Sequence, residues 1–236
     1  MALIVVPARL KSTRLPQKLI QKIGGKEVIL HLCDHIKALR QNHDIVITTD
    51  STFIQHLIQD YCDFDVLYST KGYNNGTERI ADVADSFTNE DIVVNIQADE
   101  YDVMAVDIEH LICSMKESDE IKISTLVGPL EEIQQSDASV VKAILDESNE
   151  AIDFVREMTS AATPHYGHHG IYAYRSKTLR AISKLPKTNK EIKRSLEQMR
   201  WLESGYKIHC VHSDRSVSSL NTLEDLERIR NSLNIK

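Results

Sequence analysis

Arg9, Lys11, Arg14 and Lys18 place four cationic side chains within ten residues, with the hydroxyls of Ser12 and Thr13 between them. The stretch follows an apolar run, Leu3-Ile4-Val5-Val6-Pro7, and Pro16 keeps it out of a regular strand, so it forms a loop. Cations and exposed backbone N–H groups at the carboxyl end of a first parallel strand suit a nucleoside triphosphate tail. A solvated basic loop is the other reading of the same spacing. Gln97-Ala98-Asp99-Glu100 puts two carboxylates just past a second apolar strand. A hard cation such as Mg²⁺ takes one or two carboxylates there together with substrate phosphate, and the bland alternative is an acidic turn. In Asn75-Gly76-Thr77-Glu78-Arg79, Gly76 admits backbone close to a ligand, Thr77 can cap the following helix and Arg79 adds a cation near a base or phosphate. Thr48-Thr49-Asp50 ends a further strand, where Asp50 meets a ligand or simply precedes the next helix.

The elements that must hold these residues alternate. Strand patterns at 2–7, 44–50, 65–68 and 91–96 are separated by helical periodicity at 28–39, in a segment opened by Ser51, and at 78–85. This rhythm predicts an α/β fold whose mostly parallel sheet carries helices on both faces, with ligands beyond the carboxyl ends of its strands. From about residue 122 the chain is richer in strands, at 122–127, 140–145, 170–174 and 206–211. Helices fall near 190–203 and 222–233, the last opened by Asn221-Thr222. The polar stretches 71–75 and 159–167 read as substrate-contacting loops.

A chain of 236 residues buries a full core and fits one domain. Its apolar content of 42% and charged content of 27% are those of a globular protein, and a net charge of −7 excludes generic nucleic-acid binding. No apolar run approaches the roughly 20 residues that span a bilayer, and Met1-Ala2 runs into a strand without a leader pattern, so the expected location is the cytoplasm. Cys33, Cys62, Cys113 and Cys210 show no C-x-x-C spacing and read as buried thiols. His165, His168 and His169 mix the faces of a strand, which is poor metal-ligand spacing.

The motif R-x-x-S-T-R-L-P-x-K resembles the nucleotide loop of the cytidylyltransferases that activate 3-deoxy-manno-octulosonate (Kdo). The similarity continues in order through Ile23-Gly24-Gly25-Lys26, Asn75-Gly76-Thr77-Glu78-Arg79-Ile80, Gln97-Ala98-Asp99-Glu100, Val140-Val141-Lys142, Gly170-Ile171-Tyr172-Ala173-Tyr174-Arg175, Ser195-Leu196-Glu197-Gln198-Met199-Arg200 and Asn221-Thr222-Leu223-Glu224-Asp225-Leu226-Glu227. The resemblance implies a Rossmann-like, GT-A-like nucleotide-diphospho-sugar transferase fold over residues 1–236, with a strand-rich sugar-binding and dimerisation portion around 122–175. It implies transfer of CMP from CTP to the anomeric hydroxyl of Kdo or a related 3-deoxy-2-ulosonic acid, for lipopolysaccharide synthesis, with Mg²⁺ and as a homodimer. Arg9, Ser12, Arg14 and Lys18 would hold the CTP phosphates, with Arg14, Lys18 and Asp99 catalytic. Thr49, Asp50, Thr77 and Arg79 would lie near cytosine or ribose. Gln97, Arg156, His168, Tyr172, Glu197 and Gln198 would hold the sugar acid, leaving surface roles to His165 and His169. Asp99 and Asn221 would occupy the metal positions. The family has Gly at Gln17, Pro at Leu19, Q-G-D-E-P where this chain has Gln97-Ala98-Asp99-Glu100-Tyr101, and Asp at Asn221. These departures leave two other readings: a homologue that binds nucleotide with little or no catalysis, and a nucleotidyltransferase for another sugar acid.

Overall fold

The computed structural model describes residues 1–12, 15–73, 75–86, 91–100, 102–158, 163–218, 220 and 222–234. The chain divides into two compact units, one of Met1–Phe87, Asn95–Ala105 and Ser218–Lys236, the other of Thr88–Val94 and Val106–Val217.

In the first unit β1 (Leu3–Ala8) leads through the cationic loop to a single 3-10 turn at Lys18–Ile20. A hairpin of β2 (Lys22–Ile23) and β3 (Lys26–Glu27) follows. Gly24 and Gly25 turn it at φ 57° and 84°, the positive φ that a two-residue turn between right-twisted strands requires. Helix α1 (Val28–Ile36) ends three residues before the periodicity predicts, and the chain continues as a 3-10 turn over Lys37–Gln41, the tightening by which many helices end. The strand β4 (Asp44–Thr49) lies parallel to β1, with Ala8 opposite Thr49. Ser51 opens α2 (Thr52–Gln59) as predicted, its Oγ accepting from the Ile54 N–H at 3.3 Å. The short strand β5 (Asp65–Tyr68) extends the parallel set beside β4. Helix α3 (Gly76–Ser86) is capped by Asn75, not by Thr77: Asn75 Oδ1 accepts from the Glu78 N–H at 2.7 Å, and Thr77 is buried inside the first turn. All five residues of β6 (Ile92–Ile96) are buried, as a strand covered on both faces must be.

The second unit carries most of α4 (Ala105–Glu117), in a stretch to which the sequence analysis assigns no element. Its apolar stripe of Ile108, Leu111, Ile112 and Met115 is buried at helical spacing, which leaves Cys113 outside the stripe and exposed rather than buried. Then come β7 (Ile123–Gly128), α5 (Glu132–Ser136), β8 (Lys142–Leu145), β9 (Ala151–Val155), β10 (Tyr166–Arg175), α6 (Ser176–Ile182), α7 (Asn189–Arg194), α8 (Gln198–Glu203) and β11 (His209–His212). Antiparallel pairing joins β10 to β7 and β8, and β8 to β9, whereas β11 runs parallel to β7. The single helix expected near 190–203 is two helices. Ser195 turns left-handed at φ 53° and interrupts them. A buried ion pair spans the break, with Arg200 Nε donating to Glu191 Oε2 at 2.7 Å and Arg200 Nη1 to the Leu185 carbonyl at 3.3 Å.

Helix α9 (Leu223–Asn234) belongs again to the first unit. Thr222 caps it by a reciprocal pair of bonds, the Asp225 N–H to Thr222 Oγ1 at 3.1 Å and the Thr222 N–H to Asp225 Oδ2 at 2.9 Å. Leu226 packs in a buried cluster with Leu15, Ile23, Val28 and Leu220, which fastens the end of the cationic loop to the hairpin, α1 and α9. No described helix is long and apolar enough to cross a membrane.

Breaking a buried ion pair from one side leaves the other charge stranded. Arg200→Leu should therefore lower the unfolding free energy by about 3–5 kcal/mol in urea titrations, and the double variant Arg200→Leu/Glu191→Leu should recover most of that loss.

Candidate active site

The first unit gathers the predicted phosphate, base and metal residues at the ends of β1, β4 and β6. Leu10 donates its N–H to Asp50 Oδ1 at 3.1 Å, so Asp50 ties the start of the cationic loop to the end of β4. Thr49 is fully buried and its Oγ1 accepts from the Ser51 N–H at 3.2 Å, which makes it a support of that turn. Arg9 and Ser12 are half-buried along the loop. Arg14 lies outside the described residues, as does Asn221.

Lys18 is reached through Gln17, whose backbone is left-handed at φ 51° without the glycine that this geometry favours. Lys18 is buried, and its Nζ contacts Asp99 Oδ2 at 2.6 Å across 81 residues of sequence. The expected phosphate cation and the expected metal carboxylate are thus already together, with Asp99 28% exposed. Leu220 extends its N–H toward the Asp99 carbonyl at 3.5 Å, bringing the chain before α9 to the same strand end. Asp225 is committed elsewhere, to the cap of α9 and to Arg228 Nη2 at 2.7 Å. Among the described residues no three His, Cys, Asp or Glu stand together as a metal cluster. A divalent ion at Asp99 would draw its other oxygens from substrate and water, the donor set that Mg²⁺ prefers. A carboxylate that already holds a cation in contact suits that role.

Arg79 is the clearest ligand-directed group. It is buried, yet its Nε and Nη1 have no hydrogen-bond partner, and its guanidinium lies over the Tyr73 ring at 4.9 Å. Burial lowers its pKa, the neighbouring Arg9 lowers it further, and Asp50 and Tyr73 oppose the shift. Leaving these donors unbonded is costly for a buried guanidinium, and an acceptor brought by a ligand would relieve that cost. A Cβ added at Gly76 would meet Gln97 Nε2 at 3.8 Å, an ordinary contact that puts the start of α3 beside the strand end bearing Asp99.

The second unit holds most of the expected sugar residues. Tyr172 and Tyr174 stack at 5.9 Å, and both set their rings edge-on to Trp201, at 5.1 and 5.6 Å. Tyr172 Oη and Trp201 Nε1 are buried without hydrogen-bond partners, and burial first, then Tyr174 and Glu197, raise the Tyr172 pKa well above its usual value. His168 is buried, with Nε2 3.1 Å from Thr125 Oγ1. Thr125 spends its proton on the Ile171 carbonyl at 2.7 Å, so it accepts from His168 Nε2–H and leaves Nδ1 as the acceptor of a neutral ring. Burial, and then His169, push the His168 pKa down to about 3. His169 is not a surface residue: it is buried, with Nε2 3.3 Å from the Arg215 carbonyl. Its strand lies under the chain that follows β11, so both faces are covered. His165 is half-buried against the Thr163 carbonyl at 2.6 Å.

Arg156 points three donors at main-chain carbonyls, Nε to Arg194 at 3.1 Å, Nη1 to Ala138 at 3.0 Å and Nη2 to Ser195 at 3.4 Å. It therefore straps the turn before Glu197 and Gln198 in place. Sequence reasoning gave no role to Lys142, Thr125, Trp201 or Tyr73. Lys142 is fully buried and donates to the Asp137 and Arg156 carbonyls at 2.5 and 2.8 Å, with burial lowering its pKa. A charged residue inside an apolar run, within the motif Val140-Val141-Lys142, was the available signal for it.

With this geometry described, the comparisons decide the family. A family model described as Cytidylyltransferase matches residues 3–208. The 3-deoxy-manno-octulosonate cytidylyltransferase of Polynucleobacter necessarius is 36% identical, over 97% of this chain and 94% of that one. The chain belongs to the Kdo cytidylyltransferase family. The protein of that name from Chlorobium phaeobacteroides is 35% identical over 97% of this chain and 96% of its own. A solved CMP:2-keto-3-deoxy-manno-octonic acid synthetase, complexed with CTP, superposes with a TM-score of 0.88 at 27% identity, covering 99% of this chain and 98% of the other. The fold is accordingly the mixed, mostly parallel nucleotidyltransferase sheet with its helices.

Two outcomes follow for this family member. Because the folded state depresses the His168 pKa from 6.5 to about 3, the unfolded chain binds more protons between those values. The His168 contribution is thus complete above pH 6.5 and is lost as the pH falls, and His168→Gln should flatten the stability slope from pH 6.5 toward 4 in urea titrations. Gln17→Gly relieves the left-handed strain and should stabilise the fold by about 0.5–1 kcal/mol, read as a raised Tm.

Proposed function

We propose that this chain transfers CMP from CTP to the anomeric hydroxyl of Kdo, or of a closely related 3-deoxy-2-ulosonic acid, and releases pyrophosphate. The observation that carries the reading is the contact of Lys18 with Asp99, because it joins a triphosphate-binding cation to a metal-binding carboxylate at one strand end. Family membership over nearly the whole chain supplies the reaction class.

In this reaction the anomeric hydroxyl gives up its proton to solvent and its oxygen bonds to the α-phosphorus, while the bond from that phosphorus to the bridging oxygen breaks and pyrophosphate carries away the electron pair. The work left to the protein is positioning and charge neutralisation. Arg9, Ser12, Arg14 and Lys18 hold the phosphates, and Arg79 finds its missing acceptors on the nucleotide. Asp99, with Asn221 beside it in the family pattern, would hold Mg²⁺, which supplies charge stabilisation at the phosphoryl oxygens when bound. His168 remains neutral and offers Nδ1 to a sugar hydroxyl, while Tyr172, Glu197 and Gln198 of the same unit complete its sugar contacts. Arg156 holds the turn that presents Glu197. A homodimer with residues 150–175 at its interface belongs to the same proposal; Ile152 on β9 and Met158 after it are exposed apolar side chains it would cover, and sedimentation equilibrium tests it.

The test is pyrophosphate release by the purified chain from CTP, Kdo and Mg²⁺. Kdo-dependent release is expected, with kcat/KM lowered about 10²-fold or more by Asp99→Asn or Lys18→Ala, and Lys18→Ala, which leaves only the partly exposed Asp99 unpaired, should change Tm little. CTP binding without release would overturn the reading in favour of a non-catalytic nucleotide binder. Asn221→Asp adds a unit charge worth roughly 4 kcal/mol at about 4 Å before desolvation, so it should lower the Mg²⁺ concentration needed for half-maximal rate.

A further inference from the structure

Tyr73 belongs to no motif of the cytidylyltransferase resemblance and takes no part in the transfer itself. It lies half-buried just before α3. The Arg79 guanidinium lies over its ring at 4.9 Å from the centroid, and the Lys71 ammonium lies over the same ring at 5.2 Å. The hydroxyl is fastened as well: Tyr73 Oη donates to Asp82 Oδ2 at 2.7 Å, and Asp82 Oδ1 receives Lys71 Nζ. Burial and the bond to Asp82 raise the Tyr73 pKa, so the phenol keeps the proton that it donates. Arg79 and Asp82 stand three positions apart on α3 and therefore share a side of that helix. Tyr73 spans the two, its hydroxyl held by Asp82 and its ring laid against Arg79.

What a ring gives an arginine differs from what a carboxylate gives it. A guanidinium carries its N–H donors around the edge of a plane, and a carboxylate in contact takes up a pair of them. An aromatic ring attracts the cation through its electron-rich face and leaves those edge donors unspent. Arg79 is buried with Nε and Nη1 unbonded, the state in which such a partner leaves it. A side chain fixed before the ligand arrives also lowers the ordering cost of binding. We propose that Tyr73 is a positioning residue whose ring, anchored by Asp82, holds the Arg79 guanidinium in place and leaves its donors for the nucleotide. The inference rests on the reading of Arg79 as a contact to CTP under the proposed function.

The experiment measures CTP binding to the full chain in Mg²⁺ by titration calorimetry. The proteins are wild type, Tyr73→Phe, Tyr73→Leu, Arg79→Gln and the double variant Arg79→Gln/Tyr73→Leu, each checked for its fold by circular dichroism. Tyr73→Leu removes the ring and should weaken CTP binding about 5- to 20-fold. Tyr73→Phe keeps the ring and should stay within about 3-fold of wild type. In the Arg79→Gln background, with no cation left to hold, Tyr73→Leu should change the affinity by less than about 2-fold. An equal loss in both backgrounds would mean that Tyr73 acts independently of Arg79 and would overturn the proposal, as would wild-type affinity in Tyr73→Leu. Either of those results, obtained with a wild-type chain that binds CTP, leaves the proposed transfer standing. A wild-type chain that does not bind CTP overturns the nucleotide reading itself and this inference with it.

Discussion

A lysine ammonium removed from water needs an anion in contact, and Lys18 meets that need with Asp99. Much of the first unit serves this one contact. Lys18 can be buried only because the chain before it turns left-handed at Gln17 and is anchored by Leu15 in the cluster with Ile23, Val28, Leu220 and Leu226. Asp99 can be reached only because β6 is buried along its length and delivers its carboxyl end to the same place. The pair is partly exposed, so its own contribution to stability is small; what it determines is where a phosphate or a metal finds opposite charge.

Arg79 shows the complementary arrangement, a buried charge left without its partner. The protein bears the desolvation of that guanidinium, places Arg9 beside it and gives it the face of Tyr73 and the charge of Asp50, while Nε and Nη1 remain unbonded. Such a group is retained where a ligand completes it. Asp50 and Thr49, at the end of β4, are spent on backbone N–H groups and keep the loop in register.

In the second unit the polar groups are arranged around aromatic rings. The Tyr172, Tyr174 and Trp201 rings form a wall in which the Tyr172 hydroxyl and the Trp201 N–H stay unbonded, and His168 is held neutral by burial and by His169, with Thr125 fixing its tautomer. Rigidity comes from charges that touch no substrate. Arg200 with Glu191 clasps the two helices around Ser195, and Arg156 and Lys142 fasten loop carbonyls. The family's glycine at position 17 is explained by backbone conformation, because Gln17 is exposed and left-handed. The family's glycine at Ala98 has no counterpart reason in this geometry.

The sequence by itself determined the β-α rhythm of the first half, the cationic loop, the cap at Ser51 and the strand-end carboxylates, because each depends on neighbours within a few residues. It also carried the family, through motifs in register from one end to the other. It missed α4, the break at Ser195 and the burial of His169, where long-range packing overrides local pattern. It mistook Thr77 for the cap, since several polar residues there compete for one N–H and only the backbone path selects Asn75. The pairings Lys18–Asp99 and Arg200–Glu191, and the protonation of His168, belonged to the tertiary structure alone. Charge and proton affinity depend on which distant groups are brought into contact and on how much water is excluded, and neither is encoded in local spacing.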